Sequence, residues 1–228
     1  MLGYSSYPKF NYILGNSIRI PTIASTEYDA NGDGRKDYLS LSVSLPLAKD
    51  EVIHKVQLLL LFDYRLHKHL NFHMQALANI QHDSSTPGFN FIAAGNLKFN
   101  QKIRFPNVGA FTKFNKPIFN TTSDALQSWD LAAVLGEYSA RNVSTDFIGR
   151  YPVWRTGKTL GKPFKMNVKI FYPEELIRYQ PGFLQMLKMA WMQYLAVLFV
   201  FVVVLRELKR FVFTNRLVRT LPSKLHID

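Results

Sequence analysis

The sequence predicts a mainly β domain, a β-sandwich-like fold with one short helix, followed by a C-terminal transmembrane α-helix. Three observations predict this fold class. Apolar and polar residues alternate through residues 39–45, further apolar runs are bounded by Pro, Gly, Asn and Ser, and a long uncharged stretch lies near the C-terminus. Alternation with a period of two is typical of a strand with one buried face, and a long uncharged run is typical of a membrane span.

The strand predictions start at residues 39–45, where Leu39, Leu41, Val43 and Leu45 alternate with serines. Residues 52–66 (VIHKVQLLLLFDYRL) are apolar enough for a central strand. Further strands are predicted at residues 72–80, 89–99 and 164–172. Residues 123–138 (SDALQSWDLAAVLGEY) instead have a helical pattern, with Ser123 or Asp124 as the N-cap.

The stretch from Met189 to Leu205 contains 17 residues without a charge, or 23 residues with Lys188 if it starts at Phe183. As a helix it measures about 26 to 34 Å, enough to cross a hydrocarbon core of about 30 Å. Trp191 and Tyr194 suit the interfacial aromatic belt. A buried core helix is disfavoured because aromatic and β-branched residues cover every face. The sequence therefore divides into an exoplasmic domain (1–178), a hinge (179–182), a span (183–205) and a tail (206–228).

The flanks of the span predict its orientation. The tail carries six basic residues against two acidic ones: Arg206, Lys209, Arg210, Arg216, Arg219 and Lys224, with Glu207 and Asp228. Positive flanks are typical of the cytoplasmic side, so the preceding domain is expected to be exoplasmic. The sequons at Asn120 and Asn142 agree, since N-glycans are added on that side. Residues 211–218 either lie along an anionic leaflet or form part of a solvated tail.

Targeting raises a difficulty. Residues 1–20 contain no apolar stretch of the kind that directs a domain across a membrane. We therefore expect the domain to depend on an upstream span that this chain lacks. The alternative is a tail-anchored protein with a cytosolic domain, but this would place the basic tail outside, against the positive-inside rule.

Composition and motifs exclude several classes of function. The net charge is +12, of which a dispersed +7 belongs to residues 1–182 and the remainder lies beside the membrane. No basic stripe or nucleic-acid motif is present, so nucleic acid is not an expected partner. The chain has no cysteine, which excludes thiol chemistry. No nucleophile elbow, P-loop or dinucleotide fingerprint occurs, and Glu174 and Glu175 are interpreted as solvated residues beside the hinge. We expect neither an enzyme nor a small-molecule substrate.

The most specific local motif is D-x-N-x-D-G-x-x-D at residues 29–37. Oxygen ligands at alternate positions converge when the backbone curls around a cation, and hard oxygen ligands suit Ca²⁺. The predicted ligands of a structural calcium ion are the side chains of four residues and one carbonyl group: Asp29, Asn31, Asp33 and Asp37, with the carbonyl of Arg35. The loop is not an EF-hand, because Ser40 occupies the twelfth position; it is similar to calcium loops in the β-hairpins of integrin-type propellers. The alternative is a polar hairpin turn without metal.

Three histidines offer a weaker hypothesis for a metal site. His67, His69 and His73 share parity and are expected on one face of a strand. Zinc prefers four ligands in such sites, and the sequence supplies no evident fourth. A solvent-facing strand end is therefore the favoured interpretation.

Several blocks occur together in one order: FNYILGNSIRIP at 10–21, the loop at 29–37, HKVQLLLLFDYRLH at 54–67, ARNVST at 140–145, YQPGFLQMLKMAWMQYLAVLFVF at 179–201 and RFVFTN at 210–215. This pattern resembles the transmembrane protein 231 family over nearly the whole chain. The resemblance implies a component of the tectonic-like complex of the ciliary transition zone, with other membrane proteins of that complex as partners. It implies roles in the diffusion barrier at the cilium base, ciliogenesis and Hedgehog signalling. The family also has a transmembrane helix upstream of its exoplasmic domain.

Two function classes follow. The first is a non-enzymatic scaffold in the cilium membrane at the transition zone. The second is a calcium-dependent cell-surface adhesion or receptor protein unrelated to cilia. Localisation separates the two classes, because only the first predicts a ring at the cilium base.

Overall fold

The computed structural model of the 228-residue chain describes residues 2–67, 71–106, 110–119, 130–157 and 161–218. It forms two compact units, residues 1–180 and residues 181–228. The first unit is a β-rich domain, and the second contains one long helix. The observed division lies two residues after the predicted domain end at residue 178.

The elements of the first unit follow in chain order. The helices are α1 (Pro8–Leu14), which continues into a 3₁₀ turn at Gly15–Ser17, and α2 (Leu131–Ala140). The strands are β1 (Thr22–Tyr28), β2 (Tyr38–Leu45), β3 (Ile53–Leu66), β4 (Asn71–Gln101), β5 (Ala110–Phe111), β6 (Val143–Gly149), β7 (Val153–Thr156) and β8 (Phe164–Phe171). The second unit contains α3 (Phe183–Thr214).

One sheet connects all eight strands in the order β1-β2-β8-β4-β3, and β5, β6 and β7 also pair with β4. Neighbours along this path are antiparallel except β8 and β4, which run parallel. The strands β6 and β7 are antiparallel to β4. Because β4 pairs with five other strands, through residues 71–83 and again through residues 88–101, it organises the domain.

The long strand β4 turns back over itself. Thr145 of β6 lies opposite Phe99 of β4, and its hydroxyl group also bonds to the backbone of Leu77, earlier in the same strand. In a straight strand, positions 77 and 99 would be separated by about 70 Å. The turn includes Gly88, which pairs with both Ile53 and Thr156. A Cβ atom on Gly88 would overlap the indole ring of Trp154, so this close approach requires glycine.

The turn in β4 creates a sandwich with a shared core. Ala78 and Ile80, from the first half of β4, pack in one buried cluster with Phe91 and Ala93 from the second half. The inward residues of β8, including Val168, complete this cluster. A second cluster contains Phe72, Met74, Ala76, Phe99, Phe105 and Val143. Burial of these side chains provides the main stabilisation of the fold.

The helix α2 packs against the first half of β4, on the face opposite to the shared core. Leu77 of β4 and Tyr138 of α2 are buried together with Ile118. The side chain of Asp130 caps the helix by accepting the Ala132 N–H. The predicted N-cap at Ser123 or Asp124 was therefore wrong for this helix, and both residues lie outside the described part of the chain. Asp130 instead satisfies a free N–H of the first turn.

The mainly β fold class is confirmed, and the strands at residues 39–45, 52–66 and 164–172 correspond to β2, β3 and β8. The two strands predicted at 72–80 and 89–99 are one continuous strand, β4. The sequence analysis did not predict α1, β5, β6 or β7. These elements are short, and their formation depends on contacts with residues that are distant in sequence.

The helix α3 is 32 residues long and therefore measures about 48 Å. It is long and apolar enough to cross a membrane, and none of its apolar window is buried inside the protein. The helix continues nine residues beyond the predicted end of the span at Leu205. Since a hydrocarbon core is about 30 Å thick, the last turns, which include Arg206 and Arg210, extend past it.

Candidate functional site

The loop at residues 29–37 joins β1 to β2 as a hairpin, the setting that both interpretations of the motif implied. Tyr28 lies opposite Tyr38, and the Asp37 N–H donates to the Tyr28 carbonyl at 2.8 Å. The Asp37 carbonyl accepts the Tyr172 N–H at 2.8 Å, which ties the base of the loop to the end of β8. The loop therefore projects from a fixed edge of the domain.

Two carboxylates organise the loop from its ends. The Asp29 carboxylate accepts the N–H groups of Gly32 and Gly34, at 2.7 and 2.8 Å. The Asp37 Oδ2 atom accepts the Ala30 N–H at 2.6 Å and the Asn31 N–H at 3.3 Å. Gly32 and Gly34 have φ angles of 74° and 82°, in the left-handed region that favours glycine. The backbone thus curls around its own carboxylates.

The remaining polar side chains of the loop form local turns. Asn31 Oδ1 accepts the Asp33 N–H at 3.0 Å, and Asp33 Oδ1 accepts the Arg35 N–H at 2.8 Å. These are the Asx turns expected of Asp and Asn. They order the loop through hydrogen bonds within the chain.

The ligand chemistry of the loop fits Ca²⁺, because every predicted ligand atom is an oxygen and a carboxylate that accepts two N–H groups keeps further lone pairs. The predicted ligands are Asp29, Asn31, Asp33, the carbonyl of Arg35 and Asp37. However, within the described ranges no three His, Asp or Glu side chains form a group that could hold a metal ion. Calcium binding at this loop therefore stays a prediction.

The histidine hypothesis has a different outcome. His73 bonds to the Asp63 carboxylate, which also pairs with Arg65. The Arg65 side chain, and to a lesser extent His73, hold the pKa of Asp63 below its usual range. His67 is exposed, and His69 lies outside the described residues. His73 thus has an ordinary hydrogen-bonding role on the strand surface.

Of the two predicted glycosylation sites, only Asn142 lies in the described chain. It is exposed and directly precedes β6, and its carbonyl accepts the Lys102 N–H at 2.9 Å. The amide side chain is not among the groups that hold this turn together. Asn120 lies outside the described residues, and glycan attachment at either site stays a prediction.

Glu175 is not the solvated residue that the sequence indicated. Both of its carboxylate oxygens lie 2.8 Å from the Phe99 N–H, which they accept at the edge of β4. Burial raises the pKa of Glu175, although the Phe99 N–H and the charge of Lys98 act in the opposite direction. Burial, together with the nearby Glu175 charge, raises the pKa of Tyr64 to about 12. Glu175 is therefore a partly buried clasp between the chain after β8 and the end of β4.

A buried polar cluster links α2 to β4 and β6. The Tyr138 hydroxyl oxygen accepts the N–H groups of Thr145 and Leu77, at 2.9 and 3.1 Å. The Thr145 hydroxyl lies 2.8 Å from the Tyr138 hydroxyl and donates to the Leu77 carbonyl at 2.9 Å. Tyr138 and Thr145 are only 4% and 2% exposed. The sequence analysis missed this cluster, because a Tyr and a Thr seven residues apart carry no local signal.

The family to which the chain belongs follows from comparison with known proteins. The family model described as Transmembrane protein 231 matches residues 1–222. The chain belongs to the transmembrane protein 231 family. This confirms the resemblance found in the ordered sequence blocks. No solved structure matches the chain.

Curated relatives match the same region. Transmembrane protein 231 of Gallus gallus is 38% identical over 221 residues, which cover 97% of this chain and 69% of the relative. The Homo sapiens protein is also 38% identical over 221 residues, covering 97% of this chain and 70% of the relative. The Xenopus tropicalis protein is 38% identical over 224 residues, covering 98% and 72%. This family member is thus a membrane protein with a candidate C-terminal transmembrane helix, α3.

Proposed function

We propose that this family member is a non-enzymatic membrane component of the tectonic-like complex at the ciliary transition zone. There it contributes to the diffusion barrier at the cilium base, to ciliogenesis and to Hedgehog signalling. The observation that carries the proposal is the family match over residues 1–222, because these roles are what the resemblance implies. Its partners are other membrane proteins of that complex.

The mechanism we propose is steric and adhesive. The helix α3 contacts neighbouring helices in the membrane, and the β domain contacts neighbouring domains outside it. At 3.6 residues per turn, Gln193, Val197 and Val200 share one side of α3, whereas Trp191 and Leu198 lie on the other. A polar side chain such as that of Gln193 is costly in lipid and favours a hydrogen bond to a partner helix. The valine side of α3 is therefore the proposed lateral contact.

We also propose that the β domain is exoplasmic and the tail cytosolic. The bases that follow the span support this orientation, since positive residues are retained on the cytoplasmic side. The exposure of Asn142 supports it too, because an acceptor must be accessible to receive a glycan. Substitution of Asn142 and Asn120 by Gln should remove glycan-sized steps in gel mobility. Absence of glycosylation, with digestion of the domain by protease added from the cytosolic side, would contradict this orientation.

The test of the ciliary role is the position of the tagged full-length protein in ciliated cells. We expect a ring between the basal-body marker and the axoneme marker. Deletion of the gene should let ciliary membrane proteins exchange faster with the cell membrane, measured by fluorescence recovery in the cilium. Diffuse surface staining and unchanged exchange would reject the proposal.

The second candidate, a calcium-dependent surface adhesion or receptor protein, is favoured by one observation. The loop at residues 29–37 is exposed, oxygen-rich and fixed at its base by Asp37. In that case, cell–cell or ligand contact should require calcium, and the protein should occupy the whole cell surface. The same imaging experiment therefore separates the two candidates.

A further inference from the structure

The strands β7 and β8 and the second half of β4 share an outer face. This face carries an arrangement of charge that the linear sequence does not reveal. In β8 the residues alternate, so that Val168 and its neighbours of the same parity are buried while Lys165, Asn167, Lys169 and Phe171 are exposed. In β7, Arg155 is exposed and Trp154 is half-buried towards the core. The bases of β7 and β8 therefore point away from the core, on one face of the sheet.

The strand register places four bases around a rectangle. Lys165 lies opposite Asn90 of β4, and Asn90 lies opposite Arg155 on the other side. Lys169 lies opposite Ala94, whose carbonyl accepts the Arg150 N–H at 2.8 Å. Each pair thus spans two strand spacings, about 10 Å.

The other dimension of the rectangle follows from the strand rise. Lys165 and Lys169 are four residues apart in β8, which corresponds to about 13 Å. Arg150 and Arg155 occupy the two remaining corners, on the far side of β4. We call this set, Arg150, Arg155, Lys165 and Lys169, the basic quartet.

The basic quartet encloses neutral side chains and has no paired acid among the described residues. The residues inside the rectangle are Asn90, Ile92, Ala94, Val153 and Asn167. In the described chain, no carboxylate lies within ion-pair distance of any of the four bases. Glu174 and Glu175 line a groove together with Arg150. Four bases on one exposed face, without a described carboxylate paired to them, produce a positive potential that attracts anions.

Aromatic rings extend this face at one end. Tyr28, Tyr38 and Phe171 lie side by side across β1, β2 and β8, and the first two rings stack with centroids 5.0 Å apart. The Lys169 Nζ atom lies 4.1 Å from the centroid of the Tyr38 ring, a cation–π contact that restrains its side chain. The quartet thus adjoins a flat apolar surface that suits the face of a sugar ring.

We propose that the basic quartet binds a sulfated polysaccharide. A polymer that carries sulfate groups along its length presents several anions to several bases at once, and the forked guanidinium groups of Arg150 and Arg155 match sulfate oxygens. This inference rests on the exoplasmic placement proposed above, because such polymers occur outside the cytosol.

Other partners fit the face less well. A small ligand requires a concave site, whereas the groove beside this face is lined by one of the four bases, Arg150. Anionic lipids concentrate in the cytoplasmic leaflet, away from an exoplasmic domain. A stable protein interface usually has an apolar centre that is depleted of charge, whereas this one is polar and ringed by bases.

The test uses the full chain in nanodiscs of neutral lipid, with a fluorescent heparin oligosaccharide as the probe and anisotropy as the measurement. The basic residues after Leu205 are replaced by Gln in every sample, so that the tail does not contribute. Two double variants remove the quartet by halves: Lys165→Gln with Lys169→Gln, and Arg150→Gln with Arg155→Gln. Each should raise Kd at least about tenfold, and binding should weaken with added salt.

The matched control is Lys55→Gln with Arg104→Gln. Both residues are exposed and lie outside the quartet, and the variant loses the same charge. It should change Kd less than about twofold, because distant exposed charges are screened. Circular dichroism verifies that all variants keep the β signal.

Three outcomes would overturn the proposal. An equal loss of heparin affinity in the quartet and control variants would mean that binding depends on net charge alone. Tighter binding of polyglutamate than of heparin would indicate an acidic protein, and quartet-dependent binding to phosphatidylserine vesicles but not to heparin would indicate a membrane. The glycosylation of Asn142 reports on orientation separately, so a failure of binding with intact glycosylation rejects this inference alone.

Discussion

Removal of the Tyr138 hydroxyl group should destabilise the domain markedly. The oxygen accepts the N–H groups of Leu77 and Thr145 and lies within hydrogen-bond distance of the Thr145 hydroxyl. After Tyr138→Phe, the Leu77 N–H keeps the Thr145 hydroxyl as an acceptor at 3.1 Å. The Thr145 N–H is left buried without this partner, which costs about 1 to 3 kcal/mol.

We therefore expect Tyr138→Phe to lower the free energy of unfolding by about 2 to 3 kcal/mol, since a weakened contact between the two hydroxyl groups adds to the unpaired N–H. The measurement is urea unfolding of the full chain in neutral detergent, followed by circular dichroism of the β signal. Tyr151→Phe is the matched control, because Tyr151 is 80% exposed. It should change the free energy by less than about 0.5 kcal/mol.

A double-mutant cycle with Thr145→Val tests the coupling directly. Both single variants disrupt the same cluster, so the double variant should cost less than the sum of the two by about 1 kcal/mol. Strict additivity would refute the reasoning, as would a Tyr138→Phe variant as stable as the wild type. Additivity would mean that the two hydroxyl groups act independently, and an unchanged stability of Tyr138→Phe would mean that water or a rearranged backbone satisfies the Thr145 N–H.

Two further predictions concern the loop and the Glu175 clasp. If the loop at residues 29–37 binds calcium, an ion at 100 times its Kd adds about 2.7 kcal/mol of stability, and Asp33→Ala, unlike Asp50→Ala, abolishes the gain. Equal thermal midpoints in calcium and chelator for the wild type would reduce the loop to a polar turn. The raised pKa of Glu175 favours its protonated form in the fold, so its contribution is present below its ordinary pKa of 4.5 and lost as the pH rises through the folded value. Wild type should thus lose stability relative to Glu175→Gln as the pH rises above 4.5, and parallel pH profiles would contradict this.

Several features were predictable because their causes are local in sequence. The turn residues between Asp29 and Asp37 specify a hairpin, and the apolar stretch after Phe183 is long enough to span a membrane. The alternation in residues 164–171 defines the buried and exposed sides of β8. The order of the sequence blocks also identified the family.

Other features depend on residues that are far apart in the chain. The turn of β4 follows from packing of residues 72–80 against residues 91–99, and periodicity alone cannot distinguish it from two separate strands. Glu175 was interpreted as solvated because no sequence pattern indicates that it caps the Phe99 N–H. The helix α3 likewise ends at Thr214, nine residues after Leu205, so the first charges after the span do not mark its end.

The basic quartet illustrates the same division. The sequence by itself determined that β8 alternates basic and apolar residues, and its dispersed charge indicated no basic stripe. Only the tertiary structure decided that Arg150 and Arg155 lie across β4 from Lys169 and Lys165. The physical reason is that hydrogen-bonded strands place residues side by side according to register, whatever their separation along the chain.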